Sequence, residues 1–154
     1  AAFYLSVSRP GPRTLLALDL EDNEPNPRNS MRLDQAEEFV KAVADATGRL
    51  PVVYVHPTWA NGEPLPTSGR SLGARITPDS ILARCSLWVA DYHDSPEVPA
   101  AWEAKGWRLW QYAGDESAAR PAYGQTSLVA GVSHCDRNLF NGDAAALQRF
   151  WGGA

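Results

Sequence analysis

Two carboxylates stand two residues apart at the end of an apolar stretch, LLALDLED, over residues 15–22. An aliphatic run of this length is typical of a strand buried on both faces. Because side chains in a strand alternate with period two, Asp19 and Glu21 are predicted to point to the same side, with Cα atoms roughly 6.5–7 Å apart. Such a pair can supply a proton donor beside a second carboxylate, the chemistry of general acid–base catalysis.

The pair also has a purely structural interpretation, in which arginine side chains or backbone donors satisfy both acids. A carboxylic acid donates a proton at neutral pH only if apolar surroundings or a neighbouring carboxylate raise its pKa. Asp19 and Glu21 are neighbours of this kind. Glu21 is longer and nearer the end of the strand, so we assign it the acid/base role and expect Asp19 to lie deeper in the site.

The rest of the chain predicts strands that alternate with helices or with long loops. Strands are expected over 2–7, 15–21, 51–55, 86–91, 107–112 and 128–133. Helices are expected over 33–47, 78–84 and 143–150, with a helical turn over 100–105. This alternation indicates parallel strands, in either a doubly wound sheet or a barrel. No Gly-rich phosphate loop follows a strand, which weighs against a nucleotide-binding sheet.

Acidic and aromatic side chains gather where the predicted strands end. They are Asp19, Glu21, Tyr54, His56, Asp91, Tyr92, Gln111, Tyr112 and Asp136. The active sites of (β/α)8 barrels are built at that edge. We therefore expect an α/β fold, an irregular TIM-like (β/α) barrel in one domain over 1–154, with six of the eight strands that such a barrel has.

Composition argues against several classes of protein. The 154 residues are enough for one domain with a core. The net charge of −4, without blocks of like charge, predicts neither a nucleic-acid partner nor an anionic membrane surface. No apolar run is long enough to span a bilayer, and no secretory leader is visible. The three histidines and two cysteines lack metal-ligand spacing, so no cofactor is expected.

The two cysteines are predicted to be free thiols. Cys85 precedes one strand and Cys135 follows another, which places them at opposite ends of a parallel sheet. They would then be a strand length of roughly 17–20 Å apart, whereas a disulfide needs Cα atoms within about 7 Å.

Five motifs, in their order and spacing, resemble the family 25 glycoside hydrolases, the bacterial and phage lysozymes that cut peptidoglycan. They are LALDLED, a helix ending in TGRLPVVYV, LWVADY, WQY and the D-x-N of Asp136 and Asn138. The resemblance runs over nearly the whole chain and implies an irregular (β/α) barrel. AFYLSV then resembles the family's third strand and LLALDLE its fourth. The first two strands, with an active-site aspartate that ends the first, have no counterpart here, so the domain is expected to be N-terminally incomplete.

The resemblance implies an N-acetylmuramidase that cleaves the β-1,4 bond between N-acetylmuramic acid and N-acetylglucosamine. Glu21 would be the acid/base, and Asp19 and Asp136 the other catalytic residues. The alternative for Asp136 is a turn aspartate that caps its own backbone. The expected partner is the glycan strand of peptidoglycan, bound by an extracellular or cell-wall-associated monomer.

Aromatic and amide side chains are expected to bind the sugar. Tyr54, Trp88 and Tyr92 are candidates to line the groove, although Trp88 could equally fill the core. Gln111 lies between Trp110 and Tyr112 in a strand, so only Gln111 or those two can face the groove. We expect Gln111 to face it.

Two other functions remain open. A glycan-binding or inactive homologue would keep the fold and lose the reaction, because fold resemblance alone does not establish activity. A chitinase-like hydrolase of family 18 would also use a carboxylate pair near a strand end. That family carries an extra aspartate two residues before the Asp-x-Glu pair, where this chain has Ala17.

Overall fold

The structure is a computed structural model that describes residues 1–114 and 128–152. The helices are α1 (Ala2–Ser8), α2 (Leu33–Thr47), α3 (Pro57–Ala60), α4 (Ile81–Arg84) and α5 (Ala144–Gly152). The strands are β1 (Ala17–Asp19), β2 (Val52–Val55), β3 (Leu87–Ala90), β4 (Trp107–Ala113), β5 (Leu128–Val129), β6 (Ser133–His134) and β7 (Arg137–Phe140). Two short 3₁₀ helices cover Pro27–Asn29 and Ala100–Trp102.

The main sheet has the strand order β1-β2-β3-β4-β7. The first four strands are parallel to one another, and β7 is antiparallel to β4. Within the described ranges β1 pairs only with β2, so β1 is an edge strand. Strands β5 and β6 form a separate antiparallel pair. The carboxyl ends of the four parallel strands therefore lie along one edge of the sheet, where α/β proteins place their sites.

The two faces of the main sheet differ in polarity. One face carries aliphatic side chains, such as Leu18, Val53 and Val89, that are buried with Val40 of α2 and with Trp102. The other face, here called the site face, carries the alternate residues. In strand order these are Asp19, Tyr54, Trp88, Gln111 and Asn138. The alternation of strand side chains thus separates the core from the candidate site.

Helix α2 has the bounds that its apolar spacing predicts. Ala36, Val40 and Val43 recur at three- and four-residue intervals and are fully buried. The helix ends at Gly48, whose backbone has φ 71° and donates to the carbonyl of Ala44. A glycine adopts this left-handed conformation without the steric cost of a Cβ atom.

The strand predicted over 2–7 is wrong, because these residues form helix α1. The ring of Tyr4 packs edge-on against Phe39 of α2, with centroids 5.2 Å apart, and its hydroxyl accepts a hydrogen bond from the backbone of Ala17 at 3.4 Å. Phe3 and Val7 remain exposed. A short apolar run is compatible with a helix or a strand, and here packing against α2 favours the helix. AFYLSV is therefore not a counterpart of a barrel strand.

The end of the chain also differs from the prediction of one parallel strand over 128–133 followed by a turn. Val132 donates to the carbonyl of Val129, and Gly131 has φ 81°, so the segment turns back on itself between β5 and β6. The predicted turn over 134–142 contains β7. The loop predicted over 113–126 lies mostly outside the described residues.

The cysteines agree with the prediction of two free thiols. Cys85 is buried before β3, Cys135 is half-buried before β7, and both are free thiols. None of the helices in the described ranges is both long and apolar enough to cross a membrane.

Candidate active site

Asp19 and Glu21 lie on the same side of the chain at the end of β1. The backbone of Leu20 still donates to the carbonyl of Tyr54 on β2 at 2.9 Å, so the extended conformation continues past the last residue of the strand. Leu18 and Leu20 are buried, whereas Asp19 and Glu21 are exposed. This alternation is the one that strand geometry predicts. It directs both carboxylates to the site face.

Asp136 reaches the same edge of the sheet from the opposite direction. Because β7 is antiparallel to β4, it begins beside the carboxyl end of β4, where Asn138 pairs with Gln111 and Arg137 with Ala113. Asp136 immediately precedes β7 and raises the pKa of Glu21 through its charge. The fold therefore brings the three predicted carboxylates together.

Burial and like charge act together on Glu21. Although Glu21 is exposed, the surrounding protein withdraws part of its hydration, and this desolvation raises the pKa of its carboxyl group. The charges of Asp19, Asp136 and Asp22 raise that pKa further. Desolvation also raises the pKa of Asp19. A carboxyl group that holds its proton to higher pH is suited to donate it.

The Glu21→Gln variant is expected to be slightly more stable than wild type at pH 7. The folded-state pKa of Glu21 is raised above its ordinary value of 4.5, so its ionisation destabilises the folded state as pH rises past that value. Since the group is exposed and screened by solvent, the expected gain in the free energy of unfolding is about 0.5 kcal/mol. Urea unfolding should show this gain at pH 7 and none near pH 3. A loss of stability at pH 7 would contradict it.

Tyrosine, tryptophan and amide side chains connect the strands across the site face. The hydroxyls of Tyr54 and Tyr92 donate to the same Oε1 of Gln111, at 2.6 and 3.2 Å. The indole of Trp88 donates to Oδ1 of Asn138 at 2.7 Å, and its ring meets that of Tyr54 edge-on, with centroids 5.3 Å apart. The four candidate sugar-binding side chains thus belong to one connected group.

Gln111 lies on the site face, and its two neighbours in β4 lie on the core side. Gln111 is buried, yet its carbonyl oxygen is satisfied by the two tyrosine hydroxyls. Trp110 and Tyr112 are buried in the core, where the indole of Trp110 donates to the carbonyl of Asp91. Buried polar groups with partners of this kind hold a site rigid.

Gly114 leaves room for two site residues just after β4. A Cβ atom at this position would lie 2.5 Å from the hydroxyl of Tyr92 and 2.7 Å from Oδ1 of Asp136. Both distances are shorter than real carbon–oxygen contacts, so the tips of these two side chains would have to move.

The Gly114→Ala variant is therefore expected to disturb the site more than the fold. Any glycan cleavage or binding should fall about tenfold, while the free energy of unfolding falls by about 1 kcal/mol, the low end for an overpacked site. Urea unfolding and a glycan-binding titration check the two effects. Gly69→Ala is a useful comparison, since no atom lies within 4 Å of a Cβ there, although its φ of 68° also strains alanine.

A cleft of about 320 Å³ opens at the carboxyl edge of β2 and β3. Its lining consists of Glu21, Tyr54, His56, Ala90, Asp91, Tyr92 and His93. Three of the predicted site residues, Glu21, Tyr54 and Tyr92, are thus part of its wall. Asp19, Asp136 and the remaining candidates lie beside it on the site face. Glu21 thus borders an open space that a ligand can enter.

The comparison with known families decides the assignment. The sequence profile described as "Glycosyl hydrolases family 25" matches residues 1–120. The chain belongs to glycoside hydrolase family 25. No curated protein matches this sequence.

Solved structures of a lysozyme and of two muramidases are similar in fold to this family 25 chain. A bacterial lysozyme from Streptomyces coelicolor is 25% identical, with a TM-score of 0.63, and the match covers 92% of this chain and 58% of that one. A muramidase from Acremonium alcalophilum is 26% identical, with a TM-score of 0.58 and coverages of 90% and 56%. A muramidase from Trichobolus zukalii, at 19% identity and a TM-score of 0.62, also has coverages of 90% and 56%. This chain therefore spans less than three fifths of their length.

The predicted α/β class is confirmed for this family 25 chain, and the sheet is mixed but mostly parallel. Strands β1 to β4 are parallel to one another, as predicted. The prediction of six parallel strands is wrong, because the first predicted strand is helix α1 and the last strand of the main sheet, β7, is antiparallel to β4. In the described part of the chain, no group of three or more His, Cys, Asp or Glu side chains is arranged to hold a metal ion.

Asp22, a carboxylate without a predicted role, connects the loops beside Glu21. The side chain of Asp22 is 3% exposed and accepts hydrogen bonds from Ser30 and Ser68, both at 2.9 Å. It also pairs with the guanidinium of Arg70, whose Nε lies 2.9 Å away. Burial alone would raise the pKa of Asp22, but these bonds outweigh it and hold that pKa below its usual range. Asp22 thus joins the loops that follow β1 and β2.

Three polar residues of the cleft have no role in the predicted site: His56, Asp91 and His93. His56 and Asp91 do belong to the side chains expected at the strand ends. Nδ1 of His56 accepts a hydrogen bond from the backbone of Thr58 at 3.2 Å and so caps α3. Asp91 and His93 follow β3 two residues apart. That spacing, directly after a buried strand, was the available signal, but it is also common in ordinary turns.

Proposed function

We propose that this family 25 chain is an N-acetylmuramidase that cleaves the β-1,4 bond between N-acetylmuramic acid and N-acetylglucosamine in peptidoglycan, with Glu21 as the general acid/base. The observation that carries the proposal is the raised pKa of Glu21 beside Asp19 and Asp136, in a cleft at the carboxyl edge of a parallel sheet. Membership of the family supports it. We also propose that the protein works as a monomer outside the cell or at the cell wall.

In the proposed reaction Glu21 gives its proton to the glycosidic oxygen as the bond to the anomeric carbon breaks. The sugar then carries positive charge in an oxocarbenium-like transition state, which the negative charges of Asp19 and Asp136 stabilise. The acetamido oxygen of the substrate attacks the anomeric carbon, and configuration is retained. Glu21, now ionised, removes a proton from the water that opens this intermediate. Tyr54, Tyr92 and Trp88 provide surfaces for the sugar rings.

A second candidate function is glycan binding without cleavage. Asp19 and Glu21 are both exposed on the site face. An acid exposed to water keeps a pKa closer to its ordinary value, so at neutral pH it is mostly ionised and seldom carries a proton to donate. The connected tyrosine and tryptophan side chains would still contact sugar rings in such a protein.

The test is incubation of the purified chain with peptidoglycan, followed by borohydride reduction and identification of the reduced amino sugar. Reduced muramic acid is expected from the proposed reaction, whereas reduced glucosamine would show cleavage of the other glycosidic bond. Sedimentation with cell walls in the absence of new reducing ends would favour the binding function. Chitin oligomers, incubated in parallel, test the chitinase-like alternative.

A further inference from the structure

A buried carboxylate holds a histidine at the wall of the cleft. The side chain of Asp91 is 3% exposed, and its Oδ2 accepts a hydrogen bond from the backbone of Glu97 at 2.7 Å. Its Oδ1 accepts from Nδ1 of His93. The indole of Trp110 donates to the backbone carbonyl of Asp91 and fixes the residue from the core side. Asp91 is therefore a rigid support, and the hydrogen bond orients the imidazole ring of His93.

The outer edge of this imidazole is available to a ligand. The side chain of His93 is 66% exposed, and it lines the same cleft as Glu21. Since Nδ1 is bonded to Asp91, Nε2 lies on the side of the ring that faces away from the support. When the ring is protonated, Nδ1 forms an ion pair with Asp91, and Nε2–H can donate a charge-assisted hydrogen bond to an anion.

His93 is the cleft residue best placed to provide positive charge. Of the residues that line the cleft, only His56 and His93 can become cations. Burial lowers the pKa of His56, and its Nδ1 is already an acceptor for Thr58, so His56 remains neutral at neutral pH. Asp19, Glu21 and the other carboxylates of the site repel anions. Among the residues that line the cleft, His93 is therefore the side chain that can serve as a counter-charge to an acidic sugar.

We propose that His93, oriented by Asp91, binds a carboxylate carried by the glycan and so selects acidic over neutral amino sugars. The proposal rests on the proposed function, because the carboxylate is what distinguishes substituted muramic acid from N-acetylglucosamine. The carboxylate comes from the lactyl group when that group is free, and from the attached peptide when the lactyl group is amidated. In both cases the ligand presents two oxygens to one cationic N–H.

Calorimetric titration of the intact chain with three probes tests the proposal. The probes are a disaccharide of N-acetylglucosamine and N-acetylmuramic acid, the same disaccharide with a dipeptide on its lactyl group, and neutral chitobiose. Wild type is expected to bind at least one acidic probe about tenfold more tightly than chitobiose, the effect of one charge-assisted hydrogen bond. The acidic probe that binds more tightly identifies the source of the carboxylate.

The His93→Gln variant is expected to lose this preference and to bind chitobiose as wild type does. Because His93 is largely exposed and the amide N–H of glutamine can still donate to Asp91, the urea midpoint of the variant should not change. Equal binding of acidic and neutral probes by wild type would overturn the role of His93 and leave the muramidase proposal standing. A preference that survives in His93→Gln would overturn it too. Failure of wild type to bind any of the three probes would count against both proposals.

Discussion

The Glu21→Gln variant is expected to release reducing ends from peptidoglycan about 10²–10⁴ times more slowly than wild type, the usual contribution of a general acid. Glutamine has nearly the same size and shape as glutamate and can still form hydrogen bonds, but its amide has no acidic proton to donate. Sugar binding should be retained, because Tyr54, Tyr92 and Gln111 are unchanged. Reducing ends measured with time, together with cell-wall sedimentation, separate the loss of the reaction from a loss of binding.

Glu103→Gln provides a matched control for the same assay. Glu103 is exposed and follows the 3₁₀ helix Ala100–Trp102, before β4 begins and therefore far from the carboxyl edge of the sheet. This substitution removes the same charge from the chain and should leave the rate unchanged. If Glu21→Gln retains the wild-type rate, or if both variants lose it equally, the assignment of Glu21 as the acid fails.

The Arg70→Met variant is expected to lower the free energy of unfolding by about 3 kcal/mol. Removing one partner of a buried ion pair leaves the other charge without compensation, at a usual cost of about 3–5 kcal/mol. The lower end applies because the Arg70 side chain is 31% exposed, whereas that of Asp22 is 3% exposed. Asp22 directly follows Glu21, so the rate of any glycan cleavage should fall as well. Urea unfolding and the reducing-end assay measure the two effects.

Acidification and a neighbouring arginine provide controls for this prediction. The folded-state pKa of Asp22 is below its ordinary value of 3.8, so its stabilising contribution is present above that value and disappears as pH falls through the folded-state pKa. The difference between Arg70→Met and wild type should therefore shrink as pH falls below about 4. Arg75→Met, an exposed position on the same loop, should change stability little. Equal losses for the two variants would contradict a specific role of Arg70.

Helices and strands whose apolar pattern and end residues lie within their own segment were predictable from the sequence. Helix α2 has an apolar stripe of its own and a glycine at its end, and its predicted bounds match the structure. Strand β3 is an apolar run between two polar ends, and the structure trims it by one residue on each side of the predicted 86–91. In both cases local pattern and tertiary packing favour the same conformation.

Elements that depend on distant partners were not predictable in the same way. Helix α1 was mistaken for a strand, because the contact of Tyr4 with Phe39 is invisible in a seven-residue segment. Strand β7 looked like a turn, because only its pairing with β4 makes Arg137–Phe140 extended. Context of this kind overrides local propensity in many proteins.

The same distinction applies to the site. Asp19 and Glu21 are predictable because strand side chains alternate with period two, which places both carboxylates on the same face of the sheet. The partner of Asp22 lies 48 residues further along the chain, so no local pattern connects Asp22 with Arg70. Asp91 and His93 are close in sequence, but their significance depends on the cleft formed with Glu21. The spacing of residues in the sequence thus indicates which side chains share a face. How deeply a side chain is buried, and which charges surround it, depends on the folded chain.

In the part of the chain that the structure describes, β1 lies at the edge of the main sheet, and this position bears on aggregation. An edge strand offers unpaired N–H and C=O groups to any strand that approaches, and charged side chains discourage such intermolecular pairing. Asp19 lies within β1 and Glu21 two residues beyond it. The carboxylates proposed for chemistry are therefore also expected to discourage pairing of β1 with a strand of another molecule. Acidification, which protonates them, removes this protection at the strand that carries the proposed acid/base.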